Sequence, residues 1–333
     1  MNQMSRRPLL RGFARTNSYL FALLILAIAI QQNYLRQENL FDLRVMNGNL
    51  RSFLPLMILV VGQTIVIIGG GIDLSVGAMV SLINAILVTL ILPEATTAEI
   101  IWGITVALGA GLLAGTFNGL CVAYLRLQPI VTTYATSFVF GGIALLILPR
   151  ADPNLQLPRD LSTFYRRTTP AGLPLAIYVI AIILLLWLLL RNTRYGQYLY
   201  AAGGESAAAY TTGVPVATIR FSTYVWSGLF AALAGLALTM STGSGSPRVG
   251  DAMTLESIVA VVLGGTRLSG GQGGIAGSII GVAILGFVRN IISFEGISTW
   301  YQDLVDASII IVALAGPGLM RWARILARRL IKR

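Results

Sequence analysis

Histidine is absent from the 333 residues, and lysine and cysteine each occur once, as Lys332 and Cys121. Without histidine there is no imidazole general base, no His-ligated metal and no His-ligated haem. One cysteine excludes an internal disulfide and a Cys-rich zinc or iron–sulfur site. Cys121 falls in an apolar run and reads as a small packed side chain rather than a nucleophile. A lone lysine at the far end excludes a phosphate-binding loop, which needs Gly-x-x-x-x-Gly-Lys-Ser/Thr. Charge is also scarce, at 11% of residues, against about a quarter in an ordinary soluble domain. These absences argue against an enzyme and leave no cofactor or metal to expect.

What is present is apolar, 56% of the chain. A single soluble core could not hide that much surface, whereas lipid accepts it if every backbone polar group is satisfied internally. Long apolar runs rather than short alternating ones select helices over a barrel. They fall near 18–34, 52–68, 74–92, 100–124, 130–148, 174–190, 218–240, 254–268, 275–293 and 302–320. The expected fold is therefore an all-α polytopic membrane protein of about ten transmembrane helices with Gly-interrupted segments. Residues 1–17 form an N-terminal tail, 18–320 the membrane domain and 321–333 a basic C-terminal tail.

Arg6, Arg7, Arg11 and Arg15 in the first tail, and Arg321, Arg324, Arg328, Arg329, Lys332 and Arg333 in the last, place both termini in the cytoplasm. Ten crossings satisfy that parity. The net charge of +11 is spread over tails and loops, a positive-inside pattern rather than a nucleic-acid face. One segment disagrees. The scheme puts 149–173 outside, yet it carries Arg150, Arg159, Arg166 and Arg167 against Asp152 and Asp160. The start of the chain, with Ala27-Ile28-Ala29 after its apolar run, has the outline of a secretory signal. It reads as a retained first span because many later spans follow.

The main hydrophilic break is 191–220, expected on the cytoplasmic side. Within it Ser206 can cap a short helix over 207–212 that Gly213 stops. Such a helix reads either as a docking knob or as an ordinary connector. Gly70-Gly71-Ile72-Asp73-Leu74-Ser75-Val76-Gly77 is echoed by Gly264-Gly265-Thr266-Arg267-Leu268-Ser269-Gly270-Gly271, each at a junction of two apolar runs. Transporters use such repeats, with broken helices near the solute path. Leu268-Ser269-Gly270-Gly271-Gln272 matches the signature of ABC-type ATPases, but with no phosphate-binding loop it is read as a Gly-rich turn.

Asp73 is the most informative residue, since a carboxylate at bilayer depth costs a few kcal/mol unless paired or hydrated. It reads either as structural, accepting from backbone N–H groups freed by the Gly69–Gly71 break or pairing with Arg267, or as a substrate contact, gate or proton site. Ser75, Gln63, Asn118 and Thr132 are further candidates for a translocation path or gate. For Asn84, Asn118, Asn290, Gln63 and Thr64 the default role is interhelical hydrogen bonding. Gly103, Gly109, Gly111, Gly115 and Gly119, then Gly273, Gly277 and Gly281, recur at helical spacing and imply close helix packing.

The Gly70–Gly77 motif resembles the hallmark of permease subunits of bacterial ABC importers for ribose-type simple sugars, including autoinducer-2-like solutes. The likeness runs through Phe117-Asn118-Gly119, Pro129–Thr133, Gly196–Val214 and Ala260–Gly265 to Gly286, covering roughly 50–315. It implies an inner-membrane permease that pairs with a second permease subunit, alike or related. ABC ATPase subunits would drive it, a periplasmic sugar-binding protein would supply it, and nucleic acid would play no part. It further implies that Gly196, Gly203, Gly204, Glu205, Ala208 and Gly213 belong to the ATPase-docking loop. Two positions depart from the family: Glu205, where asparagine is usual, and Gly141, where arginine is frequent. An ion-coupled secondary transporter is the alternative, but it needs intramembrane acids and only Asp73 is well placed. An intramembrane enzyme would need a nucleophile and base that this composition does not supply.

Overall fold

The computed structural model describes residues 42–294 and four isolated positions beyond them. The two tails and the apolar stretches 18–34 and 302–320 lie outside the described residues. The described residues are mostly helical, at 76%. The helices are α1 (Leu43–Ile68), α2 (Val76–Leu90), α3 (Thr97–Gly119), α4 (Pro129–Ile147), α5 (Arg159–Arg167), α6 (Leu175–Arg191), α7 (Arg194–Gly204), α8 (Ser206–Thr211), α9 (Val216–Thr242), α10 (Met253–Leu263) and α11 (Ile275–Phe294). Each apolar stretch inside the described range has become one of them.

Four of these helices, α1, α3 with its extension to Tyr124, α4 and α9, are long and apolar enough to cross a membrane. A fifth span results if the segments Arg159–Gly172 and Leu175–Arg191, which meet at 78°, count as one. Val76–Leu90, Met253–Leu263 and the apolar part of α11, Ile275–Asn290, are shorter.

The all-α expectation needs one correction. Asp152–Gln156 (β1) pairs antiparallel with Ser244–Gly245 (β2), with Asp152 opposite Gly245 and Gln156 opposite Ser244. Gly243 creates the opening: at φ +74° it ends α9, and its carbonyl receives the Leu157 N–H at 3.1 Å. Arg166 on α5 then donates from Nε and Nη2 to the Ser241 carbonyl, at 3.1 and 2.7 Å, and from Nη2 to that of Thr242. A guanidinium on orphaned carbonyls at a helix C-terminus satisfies both their hydrogen bonds and the local dipole. One of the four arginines that disturb the charge pattern of 149–173, Arg166, is thus a helix cap.

The core is built around α1 and α9. All residues from Leu54 to Ile68 of α1 are buried. The glycines of α3 let it approach α9 backbone to backbone: a Cβ on Gly111 would lie 2.6 Å from the Gly228 carbonyl, and one on Gly115 3.0 Å from the Gly228 Cα. Gly277 and Gly281 face Gly264 and Ala260 of α10 in the same way. Gly109 does not join this seam, having no neighbour within 4 Å, and Gly273 belongs to a turn.

Of the polar side chains expected to bond between helices, Asn84, Thr64, Asn118 and Asn290 do so, and Gln63 does not. Asn84 of α2 donates to Thr239 of α9 and to the Ser244 carbonyl, and accepts from the Ser246 N–H. Thr64 meets Ser278 at 2.8 Å, and Asn290 meets Asn49 at 2.9 Å.

Candidate functional site

α1 stops at Ile68 because three glycines follow it. The Gly70 N–H returns to the Ile67 carbonyl and the Gly71 N–H to that of Val66, with Gly70 at φ +83°. This is the Schellman arrangement, which satisfies the last carbonyls of a helix and needs a left-handed residue that glycine adopts freely. α10 ends identically: Gly265, at φ +85°, returns to Val262 and Thr266 to Val261. The internal echo is therefore a repeat of helix endings. Its structural register pairs Gly70 with Gly265, one residue away from the pairing the letters suggest.

After the break the chain runs without helix to Ser75, and Asp73 lies on this stretch, fully buried. Its Oδ1 accepts from the Ser75 N–H at 2.9 Å and the Ser75 hydroxyl at 2.6 Å, and its Oδ2 accepts from the Ser227 hydroxyl of α9 at 2.8 Å. Asn118 of α3 donates from Nδ2 to Ser75 Oγ at 2.8 Å. The donors thus run from Asn118 through Ser75 to Asp73, with Ser227 closing from the other side. A buried acid needs such partners, because removing a carboxyl from water without them is prohibitive. The carboxylate's partners are these two serines rather than Arg267 or the amides of Gly69–Gly71, which bond back into α1.

The sequence-based candidates separate here. Asp73, Ser75 and Asn118 come together in one network. Gln63 is buried on α1 with neither end of its amide bonded, and Thr132 donates to the Gln128 carbonyl of its own helix at 2.9 Å. Its neighbour Thr133 attends the break instead, accepting the Leu74 N–H at 3.0 Å and donating to the Pro129 and Ile72 carbonyls. Ser227, Thr133 and Tyr224, whose phenol lies against Gly71, were missed by sequence reasoning. Nothing local marks them: a hydroxyl on an apolar helix reads the same whichever way the helix is rotated.

The 191–220 segment abuts this break. α6 turns into α7 at a tight corner, where a Cβ on Gly196 would lie 2.6 Å from the carbonyls of Leu190 and Arg191. The Thr193 hydroxyl caps α7 by accepting the Gly196 N–H at 3.3 Å. At the far end of α7, Gly203 packs directly on the Ile68 carbonyl, with no room for a side chain. Gly270 and Gly271, at φ +84° and +67°, close on Gly203 and Gly204 from the other side, and the Gly271 N–H donates to the Ile68 carbonyl at 2.9 Å. The Tyr200 hydroxyl adds a bond to the Gly273 carbonyl at 2.8 Å. Leu268–Gln272 is thus a Gly-rich turn, as expected, and it packs beside α7.

The short helix in the segment is α8, one residue earlier than the sequence suggested. Ser206 is its first residue rather than its cap, and Glu205 precedes it without a side-chain capping bond. Gly213, at φ +85°, ends it: the Gly213 N–H returns to Tyr210 and the Val214 N–H to Ala209, a third Schellman ending. Glu205, Ala208, Gly213 and Tyr210 are exposed, Tyr210 at 74%, whereas Gly196 and Gly203 are buried. The two buried glycines shape the platform and the exposed residues form its surface.

Comparison with known proteins shows the family. Residues 45–314 match the family described as the permease component of the branched-chain amino acid transport system. The ribose import permease protein RbsC of Escherichia coli K12 is 32% identical, over 93% of this chain and 95% of its own. RbsC of Bacillus subtilis is 34% identical over 89% of each chain. The galactose/methyl galactoside import permease protein MglC of Salmonella typhimurium is 29% identical, over 97% of this chain and 99% of its own. No solved structure matches the chain. With the family pattern spanning most of its length and relatives aligned nearly end to end, the chain belongs to this family of transport-system permease components.

Proposed function

We propose that the chain is the membrane-spanning subunit of an ATP-driven importer for a ribose-type simple sugar or a similarly small polyhydroxylated solute. The relatives named for ribose and for galactose/methyl galactoside support the substrate class, and an autoinducer 2 import permease of Photorhabdus temperata, 28% identical, extends it. The protein crosses the bacterial inner membrane about ten times with both ends in the cytoplasm, and works as one of two permease subunits. ABC ATPases dock on α8 and the platform under it, and a periplasmic binding protein delivers the sugar to the opposite face. Catalysis of ATP hydrolysis belongs to those partners.

One observation carries the coupling: the platform under α8 touches the break beside Asp73 backbone to backbone, through Gly203 on Ile68 and Gly271. With no side chain between them, a displacement of α7 reaches the break without being absorbed by rotamer changes. In this reading Asp73, Ser75 and Asn118 hold a gate, with Gln63 and Thr132 on neighbouring helices. Nucleotide binding to the partner shifts the balance between two orientations of the helices.

The test is uptake of radiolabelled ribose and galactose into proteoliposomes holding the permease and its ATPase, with binding protein and internal ATP supplied on the appropriate sides. Transport that needs ATP and the ATPase supports the proposal. Uptake that persists without the ATPase and collapses with a protonophore would establish the ion-coupled alternative instead.

A further inference from the structure

Tyr224 is among the largest fully buried side chains of the protein, and its hydroxyl has no hydrogen-bond partner. Burying a phenol O–H unpaired is unfavourable, and tyrosines in interiors normally find a partner. The phenol oxygen presses on the break, where a Cβ on Gly71 would lie 2.5 Å from it. Phenylalanine would fill the same volume here without an idle donor. Three residues further along α9, Ser227 makes the bond that Tyr224 does not, donating to Asp73 Oδ2 at 2.8 Å. One turn in the other direction stands Arg220, whose Nε is also buried without a partner and whose Nη2 lies 3.9 Å from a Cβ built on Gly70. α9 thus presents three donors to the break, and in this conformation the carboxylate uses the one furthest from the 191–220 platform.

We propose that Tyr224 is a positioning residue for transport: its hydroxyl is the second station for Asp73, taken up when the break pivots about Gly69–Gly71 toward the platform. The geometry permits the exchange. A helix rises 1.5 Å per residue, so the two hydroxyl-bearing positions are about 4.5 Å apart along α9. That is less than the one-turn step by which one packed element can ratchet past another. The three glycines that follow Ile68 make the pivot available, and the contact of Gly203 with the Ile68 carbonyl gives the platform a purchase on it. In both positions the carboxylate keeps a hydroxyl donor, so the buried charge is never stranded during the move.

This inference rests on the transport reading above, and the experiment separates the two. Thermal unfolding of the purified subunit in detergent is measured for wild type, Tyr224→Phe, Ser227→Ala and the double variant, and ATP-driven uptake is measured for wild type and Tyr224→Phe in the full complex. Tyr224→Phe is expected to unfold at or above the wild-type temperature yet import at least tenfold more slowly. Ser227→Ala is expected to unfold earlier, and the double variant earlier than the two single changes add up to, because Asp73 falls back on Tyr224 when Ser227 is lost. Wild-type uptake by Tyr224→Phe, or strictly additive melting shifts, would overturn the second station. A lowered melting temperature for Tyr224→Phe alone would also overturn it, since the hydroxyl would then be bonded in the resting state. Absence of ATP-driven uptake in the wild type would instead sink the transport reading, and the additivity of the melting shifts would still decide the role of Tyr224.

Discussion

The backbone N–H of Gly271 donates to the carbonyl of Ile68 across 2.9 Å, joining the ends of two glycine-terminated regions of the chain. Gly203 packs on the same carbonyl. A carbonyl at the last turn of a helix ordinarily seeks water or a cap. Here it is where α1, the end of α7 and the turn after α10 converge, and it lies five residues from the buried carboxylate of Asp73.

Gly203 and Gly213 should respond differently to alanine. At Gly203 the added methyl has no space, and overpacking of this kind costs about 1–3 kcal/mol. At Gly213 the space is open but the backbone is left-handed, which costs about 1–2 kcal/mol and strains only α8. Thermal unfolding should therefore drop clearly for Gly203→Ala, while Gly213→Ala should lose uptake with a smaller drop. Gly213→Asn should recover part of that uptake. Equal melting losses at the two positions would contradict this assignment.

Asp73→Asn tests the polarity of the network. Every partner of the carboxylate donates to it; an asparagine keeps its carbonyl oxygen on the Ser75 N–H and hydroxyl only if its Nδ2 faces Ser227, whose hydroxyl must then turn round and accept. The expected loss is about 1 kcal/mol, the difference between hydrogen bonds to a charged acceptor and to a neutral one. Asp73→Glu should not rescue it, because the site is fully buried and an extra methylene has no space. Chemical or thermal denaturation in detergent reads both, and an Asp73→Asn variant as stable as the wild type would show that the carboxylate's charge does not strengthen these bonds.

The α3–α9 seam offers an internal control. Gly115→Ala would force a methyl to 3.0 Å from the Gly228 Cα and should destabilise by about 1–3 kcal/mol. Gly109→Ala, on the same helix with nothing within 4 Å, should be neutral or stabilising by up to about 1 kcal/mol. Reversal of that order would show that α3 packs on another face.

Arg166 caps α9 through two carbonyls, so Arg166→Met should lower stability by about 1 kcal/mol, a modest figure because the residue is exposed. Arg166→Lys should recover little, since an ammonium lacks the planar fork that spans Ser241 and Thr242. Hydrogen exchange at the C-terminal turn of α9 should quicken in both variants. Unchanged exchange there would remove the capping role.

Much of the fold was legible because lipid leaves few choices. The stretch 52–68 was read correctly as helical but begun nine residues late, since α1 starts at Leu43. The missing turns carry Arg44, Asn47, Asn49 and Arg51, and a hydropathy reading ends where polar residues begin although backbone hydrogen bonding does not. The glycines that end α1, α8 and α10 were visible as breaks, because a left-handed residue before a new direction is a local requirement. The choice of Thr132 over Thr133 shows the opposite limit. Adjacent helical residues point about 100° apart, and only the packed neighbour decides which faces the break.

By itself the sequence determined that this chain is a helical membrane protein. It also determined where its helices break and that Asp73 sits at a break, since composition, hydropathy and glycine are local properties. The tertiary structure decided that Ser227, from a distant helix, shares Asp73 with Ser75, that Tyr224 stands idle beside Gly71, and that Gly203 rests on the end of α1. Those relations depend on helix rotation and on close approach of backbones, and both are settled only when the helices pack.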